Sequence, residues 1–543
     1  MQKVLTAEEM REVDRLTTER YGIPSLLLME NAAHAAARVI IERLGGTVAG
    51  KSFLILCGKG NNGGDGAALA RILWTHGARV CVELFGELKE TKDEAKSNFE
   101  ILDKLPLRLK GVPSGINFYS AEHTQTHNWL NTTGFELYHY DVLIDAVFGT
   151  GLTKPLDELS FLSEIRSLKN YYKLGKPYLV SLDIPSGLCA NLGNPIGKNF
   201  DADLTVTFTA PKPANVLAPA SRFNGELVTV NIGSPQELID NSPSQLFLAE
   251  KQDAVMWLNQ TEFTDDSHKT ARGRVLIVAG SRKMAGAAVL AANAAMRSGA
   301  GLIRVATPES AQNAVAVKTL PECMVAGVAE TENGAISEAA LGEVFELAKK
   351  ADVVAVGSGL SSDEETTKRF VRRFVEQRKF PVVIDADGLN ALAPFDLTGS
   401  DEFPLVLTPH IGEMRKLLGV DETADLSDRV KLARDFAQKH HVILVLKGER
   451  SLIAAPDGRV VVNPTGNSGL GKAGSGDTLA GIIAGFVAQT IGAKQTKIFE
   501  AVVAALYISG TAGDIAAEKF GKRTMTASDV RECLSEAFES IKN

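Results

Sequence analysis

Short apolar runs, each followed by a segment with helical periodicity, constrain the fold of this chain more than any other feature. The runs occupy residues 52–57, 79–85, 141–148, 178–182, 274–279, 301–306, 352–356, 381–384, 405–407 and 442–446. A run this short and apolar is typical of a strand buried on both faces of a parallel sheet, whose crossovers are helices. The pattern predicts an α/β protein with a mostly parallel, layered sheet in each half.

The length and the charge of the chain limit its organisation. With 543 residues it is too long for one hydrophobic core. We predict two domains, residues 1–235 and 236–543, because an Ile-Gly-Ser-Pro sequence at 232–235 is typical of a domain end, and we read 236–272 as a polar linker and lead-in. The net charge of −8 argues against a protein whose main role is to bind nucleic acid or an anionic membrane.

Three further features predict cytoplasmic residence. The cysteines are scattered and odd in number, which favours a reducing compartment over a disulfide framework: Cys57, Cys81, Cys189, Cys323 and Cys533. The N-terminal residues include acids where a signal peptide needs an apolar run. No segment reads as long and apolar enough to span a bilayer.

A glycine-rich loop at 463–477 leads into an amphipathic helix. Apolar residues recur from Leu479 to Val487 with the period of a helix that has one buried face. Backbone N–H groups at Gly474, Ser475 and Gly476 would therefore converge at a helix N-terminus, where an anion binds favourably. Asp477 would repel that anion, so it either caps the helix or takes a proton from a reacting hydroxyl.

A second glycine-rich loop, residues 58–66, follows the predicted strand 52–57. We predict a helix from Ala67 to about His76 and a strand at 79–85, a βαβ unit whose loop lies at the ligand-binding edge of the sheet. The spacing differs from the usual Gly-x-Gly-x-x-Gly dinucleotide fingerprint. Two asparagines and an aspartate exceed what a turn requires, so we interpret them as facing a ligand.

Polar residues also follow other predicted strands. Asn62, Asp145, Asp183 and Ser186 would meet at one sheet edge, and such oxygen ligands suit a hard cation or a polyhydroxy ligand. In the second half, His410 and Lys447 end strands near the expected position of Asp477. The polar segment 109–140 reads as a surface excursion, and its histidines read as solvated side chains in preference to a metal site: His123, His127 and His139.

These motifs resemble two known families. The 61–66 sequence Asn-Asn-Gly-Gly-Asp-Gly and the 183–187 sequence Asp-Ile-Pro-Ser-Gly resemble the YjeF N-terminal domain, the NAD(P)H-hydrate epimerase family. Residues 280–287, 385–388, 408–413 and 463–477 resemble the ADP-dependent NAD(P)H-hydrate dehydratases. The resemblance implies a Rossmann-like three-layer α/β domain followed by a ribokinase-like α/β domain, as in bifunctional bacterial enzymes that join both.

The resemblance also implies an activity. Reduced nicotinamide cofactors become inert when water adds across the C5–C6 double bond. The first domain would interconvert the R and S hydrates of NADH and NADPH. The second would remove water from the S hydrate at the expense of ADP, with AMP and phosphate as products. A potassium ion in the first domain, magnesium in the second and a homo-oligomeric assembly are expected on the same ground.

Site residues follow from the resemblance position by position. Catalysis would belong to Asp183 and Asp477, and potassium would be bound by Asn62, Asp145 and Ser186. The hydrate would contact Asn61, Asn62, Gly63, Gly64, Asp65, Gly149, Thr150, Gly151, Leu152, Thr153, Lys154 and Pro155 in the first domain, and Ala287, Gly359 and His410 in the second. The adenine nucleotide would contact Lys447, Gly448, Glu449, Arg450, Ser451 and Gly476. The family usually has Met-Ala where this chain has Leu470 and Gly471.

Two other functions stay open from the residues alone. The second domain is also compatible with a ribokinase-like small-molecule kinase that releases a phosphorylated product, fused to a non-catalytic binding domain. Domains like the first also occur as scaffolds in RNA metabolism. The intact 61–66 sequence, Asp183 and the negative net charge argue against that scaffold role here.

Overall fold

The structure is a computed structural model that describes residues 1–91, 93–105, 140–155, 177–265 and 267–542, with the backbone of 117–119. The chain divides into an N-terminal unit, Lys3–Ser244, and a C-terminal unit, Gln245–Asn543 with Met1 and Gln2. This division does not decide the functional boundary at residue 235, which stays a prediction. Strand β1 (Gln2–Lys3) opens the chain. The histidines His123, His127 and His139 lie outside the described residues.

A seven-stranded sheet forms the centre of the described N-terminal unit. Its strands are β2 (Ser52–Cys57), β3 (Arg79–Phe85), β4 (Asn117–Tyr119), β5 (Val142–Ala146), β6 (Tyr178–Leu182), β7 (Leu204–Phe208) and β8 (Glu226–Val230). They lie in the order β4-β3-β2-β5-β6-β7-β8, and every neighbouring pair is parallel. The chain runs outward from β2 on both sides, so the order reverses between β2 and β5, where open α/β sheets bind ligands.

Three helices, Ser25–Arg43, Asn61–Thr75 and Asp93–Asp103, pack side by side over one face of this sheet. Strand β2 presents Phe53, Ile55 and Cys57 to this face and Leu54 and Leu56 to the other. Both sets are buried, which accounts for the unbroken apolar run. The remaining described helices of the unit are Ala7–Tyr21, Pro213–Val216 and Gln236–Asp240.

The prediction of a loop over 58–66 is wrong in part, because the helix begins at Asn61 and not at Ala67. The glycines allow this early start. A Cβ atom on Gly63 would lie 1.8 Å from the carbonyl oxygen of Gly58, and one on Gly66 would lie 2.7 Å from the Cβ of Ala146. The first turns can therefore pack directly on the ends of β2 and β5.

The C-terminal unit contains an eleven-stranded sheet. Besides β1 its strands are β9 (Leu246–Leu248), β10 (Arg274–Val278), β11 (Leu302–Pro308), β12 (Met324–Val328), β13 (Val353–Val356), β14 (Val382–Ile384), β15 (Leu405–Leu407), β16 (Ile443–Leu446), β17 (Leu452–Ala454) and β18 (Val460–Val462). Their order is β1-β9-β18-β17-β16-β15-β14-β13-β10-β11-β12. Pairs from β12 to β16 are parallel, and β17 is antiparallel to both neighbours. The order reverses between β10 and β13.

Helices cover both faces of this second sheet. One face packs against Lys251–Gln260, Ala285–Arg297, Glu309–Lys318, Ser475–Gly492, Ile498–Phe520, Ala527–Glu532 and Leu534–Lys542. The other helices are Leu341–Ala348, Glu365–Glu376, Asp387–Ala391, Ile411–Leu418 and Arg429–His440. The α/β class predicted for both halves is confirmed. The linker predicted at 236–272 is wrong in part, because β9 joins the sheet and Trp257 stacks on Phe486 at 3.9 Å.

One helix among the described residues, Ile498–Phe520, is long and apolar enough to cross a bilayer, contrary to the expectation from the sequence. Most of its apolar window, 67%, is buried inside the structure. It packs against the helices Ser475–Gly492 and Lys251–Gln260. Its composition is therefore accounted for by burial in the core of the C-terminal unit.

Candidate active sites

Asp145 is fully buried at the end of β5 and organises the first site. Its carboxylate accepts hydrogen bonds from Ser186 N (2.7 Å), Ser186 Oγ (2.6 Å), Ser181 Oγ (3.1 Å) and Val147 N (3.3 Å). Burial raises its pKa to about 6, although these hydrogen bonds oppose the rise. Ser186 Oγ also accepts a bond from Phe148 N (2.9 Å), so the serine ties two strand ends together. The structure thus brings Asp145 and Ser186 into contact, as the sequence predicted.

Asn62 lies in the first turn of the helix Asn61–Thr75 and is 8% exposed. Both its Oδ1 and Nδ2 atoms are buried, and neither has a hydrogen-bond partner in the described structure. A Cβ atom built on Gly149 would lie 3.4 Å from Asn62 Cγ and 3.4 Å from Asp183 Oδ2. Asn62 and Asp183 therefore both border the space that a side chain at Gly149 would occupy. A buried amide without partners requires an explanation, and a bound ligand supplies one.

Asp183 follows β6 with φ = 63°, a left-handed conformation that is rare for a residue with a side chain. Its Oδ1 atom pairs with Lys212 Nζ and accepts a bond from Thr207 Oγ1 (3.1 Å). The Lys212 side chain is 1% exposed and also donates to Thr207 Oγ1 and Phe208 O, both at 3.0 Å. Sequence interpretation missed Lys212, because lysines are rarely buried and the sequence does not show that this one is.

The other predicted residues of the first site lie around this centre. Asn61 is exposed and Asp65 half-buried on the same helix. Burial raises the pKa of Asp65 well above its usual range, and the charge of Asp183 adds to the rise. After β5, Leu152 is buried, and the rest of the segment is half-buried or exposed: Gly149, Thr150, Gly151, Thr153, Lys154 and Pro155. Gly63 and Gly64 are buried in close packing contacts.

Asp477 lies in the first turn of the helix Ser475–Gly492 and is half-buried. Burial raises the pKa of its carboxylate, and the nearby Asp385 and Asp387 add to the rise, while Lys447 and the buried Ser358 after β13 oppose it. The helix starts after Gly474, whose φ is 88°. The structure thus has a helix N-terminus at the predicted place, with Asp477 in its first turn, and anion binding there stays a prediction.

Lys447 lies at the end of β16, where its Nζ atom is 2.7 Å from Asp385 Oδ1. Thr408 Oγ1 donates to the same oxygen at 2.7 Å. A Cβ atom on Gly476 would lie 3.4 Å from Asp385 Oδ2 and 3.5 Å from Lys447 Nζ. The absence of a side chain at Gly476 thus leaves the ion pair open to a group that binds at the helix N-terminus.

His410 has two contacts with its own helix. Its Nδ1 accepts hydrogen bonds from Gly412 N (2.9 Å) and Glu413 N (3.3 Å), which caps the helix Ile411–Leu418. Its Nε2 lies 3.6 Å from Glu413 Oε1, and Glu413 Oε2 lies 3.8 Å from Lys447 Nζ. The His410 side chain is 58% exposed. Capping and membership of the site, which the sequence left as alternatives, are compatible in this structure.

The predicted nucleotide segment, residues 447–451, forms the turn between β16 and β17. Ser451 Oγ donates to Gly448 O at 3.0 Å. Arg429 supports the turn by donating to Glu449 O at 2.9 Å, and Arg450, at φ = 51°, donates to Pro464 O at 3.1 Å. Burial lowers the pKa of both arginines. The turn is thereby fixed from both sides.

Ala287 and Gly359 face each other across the ends of β10 and β13. A Cβ atom on Gly359, whose φ is 67°, would lie 2.8 Å from the Cβ of Ala287. Two non-glycine residues nearby also have positive φ values, Ser361 (61°) and Ala386 (48°). Strained backbone of this kind is often found at ligand sites.

Four residues of the second site were not assigned roles from the sequence: Ser358, Asp385, Glu413 and Arg429. The first three follow or lie next to predicted strand ends, so the rule that selected His410 also applied to them. Arg429 acts through a backbone carbonyl, for which a sequence pattern carries no signal.

Two clefts of the described structure contain none of the predicted site residues. One, of about 820 Å³, lies in the N-terminal unit and is lined in part by Asn31, His34 and Arg38. The other, of about 470 Å³, lies in the C-terminal unit beside Trp257 and Phe538.

Comparison with known proteins places both halves in families. Residues 25–214 match the family described as the YjeF-related protein N-terminus, and residues 275–536 match the family described as NAD(P)H-hydrate dehydratase. A bifunctional NAD(P)H-hydrate repair enzyme of Moorella thermoacetica is 39% identical over 99% of this chain and 97% of its own. The chain belongs to the family of bifunctional NAD(P)H-hydrate repair enzymes. The predicted fusion of an epimerase domain with a ribokinase-like dehydratase domain is confirmed.

Other relatives carry the same description. A bifunctional NAD(P)H-hydrate repair enzyme of Thermofilum pendens is 34% identical over 99% of this chain and 97% of its own. Among solved structures, an ADP/ATP-dependent NAD(P)H-hydrate dehydratase of Bacillus subtilis, co-crystallised with ATP and Mg²⁺, is 29% identical. It covers 54% of this chain and 98% of its own, with a TM-score of 0.46.

Proposed function

We propose that the N-terminal unit interconverts the R and S hydrates of NADH and NADPH, and that the C-terminal unit dehydrates the S hydrate while ADP becomes AMP and phosphate. One observation carries the second activity: Asp477 lies beside the Lys447–Asp385 ion pair at a helix N-terminus. The dipole and the ammonium attract phosphate, and the carboxylate accepts a proton. Phosphoryl transfer to a hydroxyl requires both functions at one place.

The dehydration needs a better leaving group than hydroxide. The β-phosphorus of ADP forms a bond to the substrate hydroxyl oxygen, and its bond to the bridging oxygen breaks, which releases AMP. Asp477 takes the hydroxyl proton in this step. Phosphate then leaves from C6 while a proton leaves C5, and the C5–C6 double bond is restored. Water is thus removed from the cofactor, and its elements end in phosphate and a proton.

The remaining residues of the second site bind the adenine nucleotide and orient the hydrate. Backbone N–H groups around Gly476 and the charge of Lys447 hold the phosphates, and the turn Lys447, Gly448, Glu449, Arg450 and Ser451 contacts the rest of the adenine nucleotide. Ala287, Gly359 and His410 contact the hydrate. Support comes from the position of Ala287 and Gly359 at the reversal of strand order between β10 and β13, and of Lys447 after β16 in the same sheet.

The charge pattern of the second site fits magnesium. Asp385 uses Oδ1 for Thr408 and Lys447, and its Oδ2 points toward Gly476. Magnesium is usually held by one or two carboxylates together with substrate phosphates. When bound, the ion neutralises phosphate charge.

A potassium ion fits the first site. Asn62 Oδ1 in the first turn of the helix Asn61–Thr75, the Asp145 carboxylate at the end of β5 and Ser186 Oγ after β6 offer oxygen ligands, and Asn62 is buried without a partner in the described structure. In the described residues no group of three His, Cys, Asp or Glu side chains forms a metal site. The three proposed ligands combine neutral and charged oxygens, which suits a weakly bound monovalent cation. We expect interconversion to slow when potassium is replaced by a large organic cation, with dehydration unaffected.

The activity is tested by supplying the R and the S hydrate separately with ADP and following the absorbance of reduced nicotinamide. The S hydrate is expected to give NADH directly. The R hydrate is expected to give NADH only through prior interconversion, so an N-terminal lesion delays it selectively. A stable phosphorylated product, with no NADH formed, would instead identify a kinase.

Several expectations about the molecule in the cell stay predictions. These are a homo-oligomeric state, cytoplasmic residence, and the lack of nucleic-acid or membrane partners. Sedimentation of the full chain tests the first of these.

A further inference from the structure

The first site contains more acids than its single ammonium can balance. Lys212 is committed to Asp183, Thr207 and Phe208, which use its three N–H donors. Burial raises the pKa of Asp65, the charges of Asp183 and Asp14 add to the rise, and the charge of Lys212 opposes it. Burial also raises the pKa of Asp14, and the charges of Lys212 and Asp183 act on it in opposite directions. Three carboxyl groups from three parts of the chain therefore interact electrostatically with one buried positive charge, and Asp183 is the one that contacts it.

Asp14 reaches this cluster from the helix Ala7–Tyr21. The start of this helix is fixed next to the segment that carries Lys212, since Leu5 N donates to Pro211 O at 2.9 Å. Met10 and Val13 pack in one apolar cluster with Ala210. The Asp14 Oδ1 atom is buried, and it has no hydrogen-bond partner in the part of the chain that the structure describes.

An independent observation indicates that a ligand belongs here. Asn62 is more than nine-tenths buried, and its whole amide group lacks partners in the described structure. Gly149 leaves space between this amide and Asp183 Oδ2. Two unsatisfied polar side chains, Asn62 and Asp14, thus belong to one region around Asp183 and Lys212.

The chemistry of interconversion requires two proton-handling groups. Because N1 is conjugated with the C5–C6 double bond, hydration places a proton on C5 and a hydroxyl on C6. Inversion at C6 breaks the C6–O bond while the N1 lone pair forms a double bond to C6. Water then adds to C6 from the opposite face, and that electron pair returns to N1. One group must protonate the departing hydroxyl, and the other must take a proton from the incoming water.

We propose that Asp14 is the second proton-handling residue of this site, and that it works with Asp183 on opposite faces of the substrate ring. In one direction the Asp14 carboxyl gives its proton to the departing hydroxyl, and the Asp183 carboxylate takes one from the incoming water. In the other direction the roles are exchanged, so protons and charges balance over the two directions. This inference rests on the proposed interconversion.

The electrostatic surroundings make Asp14 hold its proton up to a higher pH than an ordinary aspartate does. Burial raises the pKa of Asp14 to about 6, Lys212 lowers it and Asp183 raises it. On the adjacent helix Gln236–Asp240, Glu237 is bound to Tyr21 and Asp240 accepts a bond from Gln236 at 3.0 Å. On its own helix, Arg15 is paired with Glu12 and Glu19.

The test compares Asp14→Asn, Asp14→Glu and the control Glu12→Gln, which changes an exposed acid of the same helix, in the full chain. Asp14→Asn is expected to slow R/S interconversion by about a hundredfold or more and to abolish the limb of the pH profile near pH 6. The rate at which heavy oxygen from labelled water is incorporated at C6 should fall by the same factor as the rate of interconversion. Asp14→Glu should retain the limb and part of the rate, and Glu12→Gln should behave as wild type.

Dehydration of the S hydrate by the same preparations reports on the integrity of the chain. An Asp14→Asn enzyme that interconverts at the wild-type rate with an unchanged pH profile would overturn the role of Asp14. An Asp14→Glu enzyme as slow as Asp14→Asn would also overturn it. The loss would then follow from the changed shape of the side chain and not from the loss of a group that carries a proton. Failure of the wild-type enzyme to interconvert the hydrates is a separate result, which contradicts the proposed function itself.

Discussion

Lys447 Nζ and Asp385 Oδ1 lie 2.7 Å apart, with the Asp385 side chain 3% exposed and the Lys447 side chain 19% exposed. Asp385 follows β14 and Lys447 follows β16, two parallel strands that are separated by β15. Asp385 is thus a buried anion that directs a half-buried cation toward the N-terminus of the helix Ser475–Gly492. If phosphate binds at this helix as proposed, its binding depends on that direction as much as on the lysine charge.

Asp385→Asn is therefore expected to weaken ADP binding through Lys447. We expect the KM for ADP in dehydration to rise about tenfold or more, and Lys447→Met to have a similar effect. Because both changes remove one interaction, the double variant should be little worse than either, with a coupling energy of about 1–3 kcal/mol. Strictly additive losses would show that Asp385 does not act through Lys447.

Gly476→Ala tests the space at the anion site without disturbing the fold. The added Cβ would make only ordinary contacts, 3.4 Å from Asp385 Oδ2 and 3.5 Å from Lys447 Nζ, and alanine favours a helix. We expect unchanged thermal unfolding and a KM for ADP raised about tenfold. Gly286→Ala, whose Cβ would have nothing within 4 Å, serves as the matched control. Unaltered ADP binding by Gly476→Ala would place the phosphates elsewhere.

Lys212→Met should affect both stability and interconversion. It leaves Asp183 buried without its cation, and removing one partner of a buried pair costs about 3–5 kcal/mol. We expect a lower unfolding temperature and no measurable R/S interconversion, while dehydration of the S hydrate continues. The exposed Lys198→Met is the control. A stable Lys212→Met enzyme with full interconversion would refute the role of this pair.

Glu83 on β3 should make stability depend on pH. It is 2% exposed, its Oε1 atom lacks a hydrogen-bond partner in the described structure, and burial raises its pKa from 4.5 to about 8. Between these values the folded chain holds a proton that the unfolded chain releases. Stability therefore falls as pH rises through this window, by up to about 1.4 kcal/mol per pH unit.

The variant Glu83→Gln removes this proton and should flatten the dependence. Thermal unfolding of the full chain near pH 5.5 and 7.5 measures the difference, with the exposed Glu100→Gln as control. We expect Glu83→Gln to be the more stable chain at the higher pH. Equal slopes for wild type and Glu83→Gln would contradict the argument.

Many strands of the two sheets were predictable from the sequence because they are short, apolar and followed by a polar turn, whereas β4, β9, β12, β17 and β18 were not predicted. Strands 52–57, 79–85 and 178–182 were predicted at the bounds that β2, β3 and β6 have in the structure. The start of the helix at Asn61 was not, since glycines favour a loop locally and only the packing of Gly63 and Gly66 reveals the helix. Tertiary contact here overrides local propensity.

The same distinction applies to the sites. Asp183, Asp145 and Asp477 follow strand ends or begin a helix, so the pattern selected them. Lys212, which pairs with Asp183, and Asp14, which we propose as a further residue of the first site, lie in segments to which the sequence assigned no role. Their importance depends on burial, which a single sequence does not show for a lysine or for an acid on an exposed helix.

The most direct test of the account is Asp477→Ala in the full chain, assayed for both activities. Its carboxylate is the only change, and it lies in the C-terminal unit, far in sequence from Asp183. We expect dehydration of the S hydrate to fall by about a hundredfold or more while R/S interconversion keeps its wild-type rate. Equal loss of both activities, or dehydration that survives the change, would contradict the division of labour between the two units.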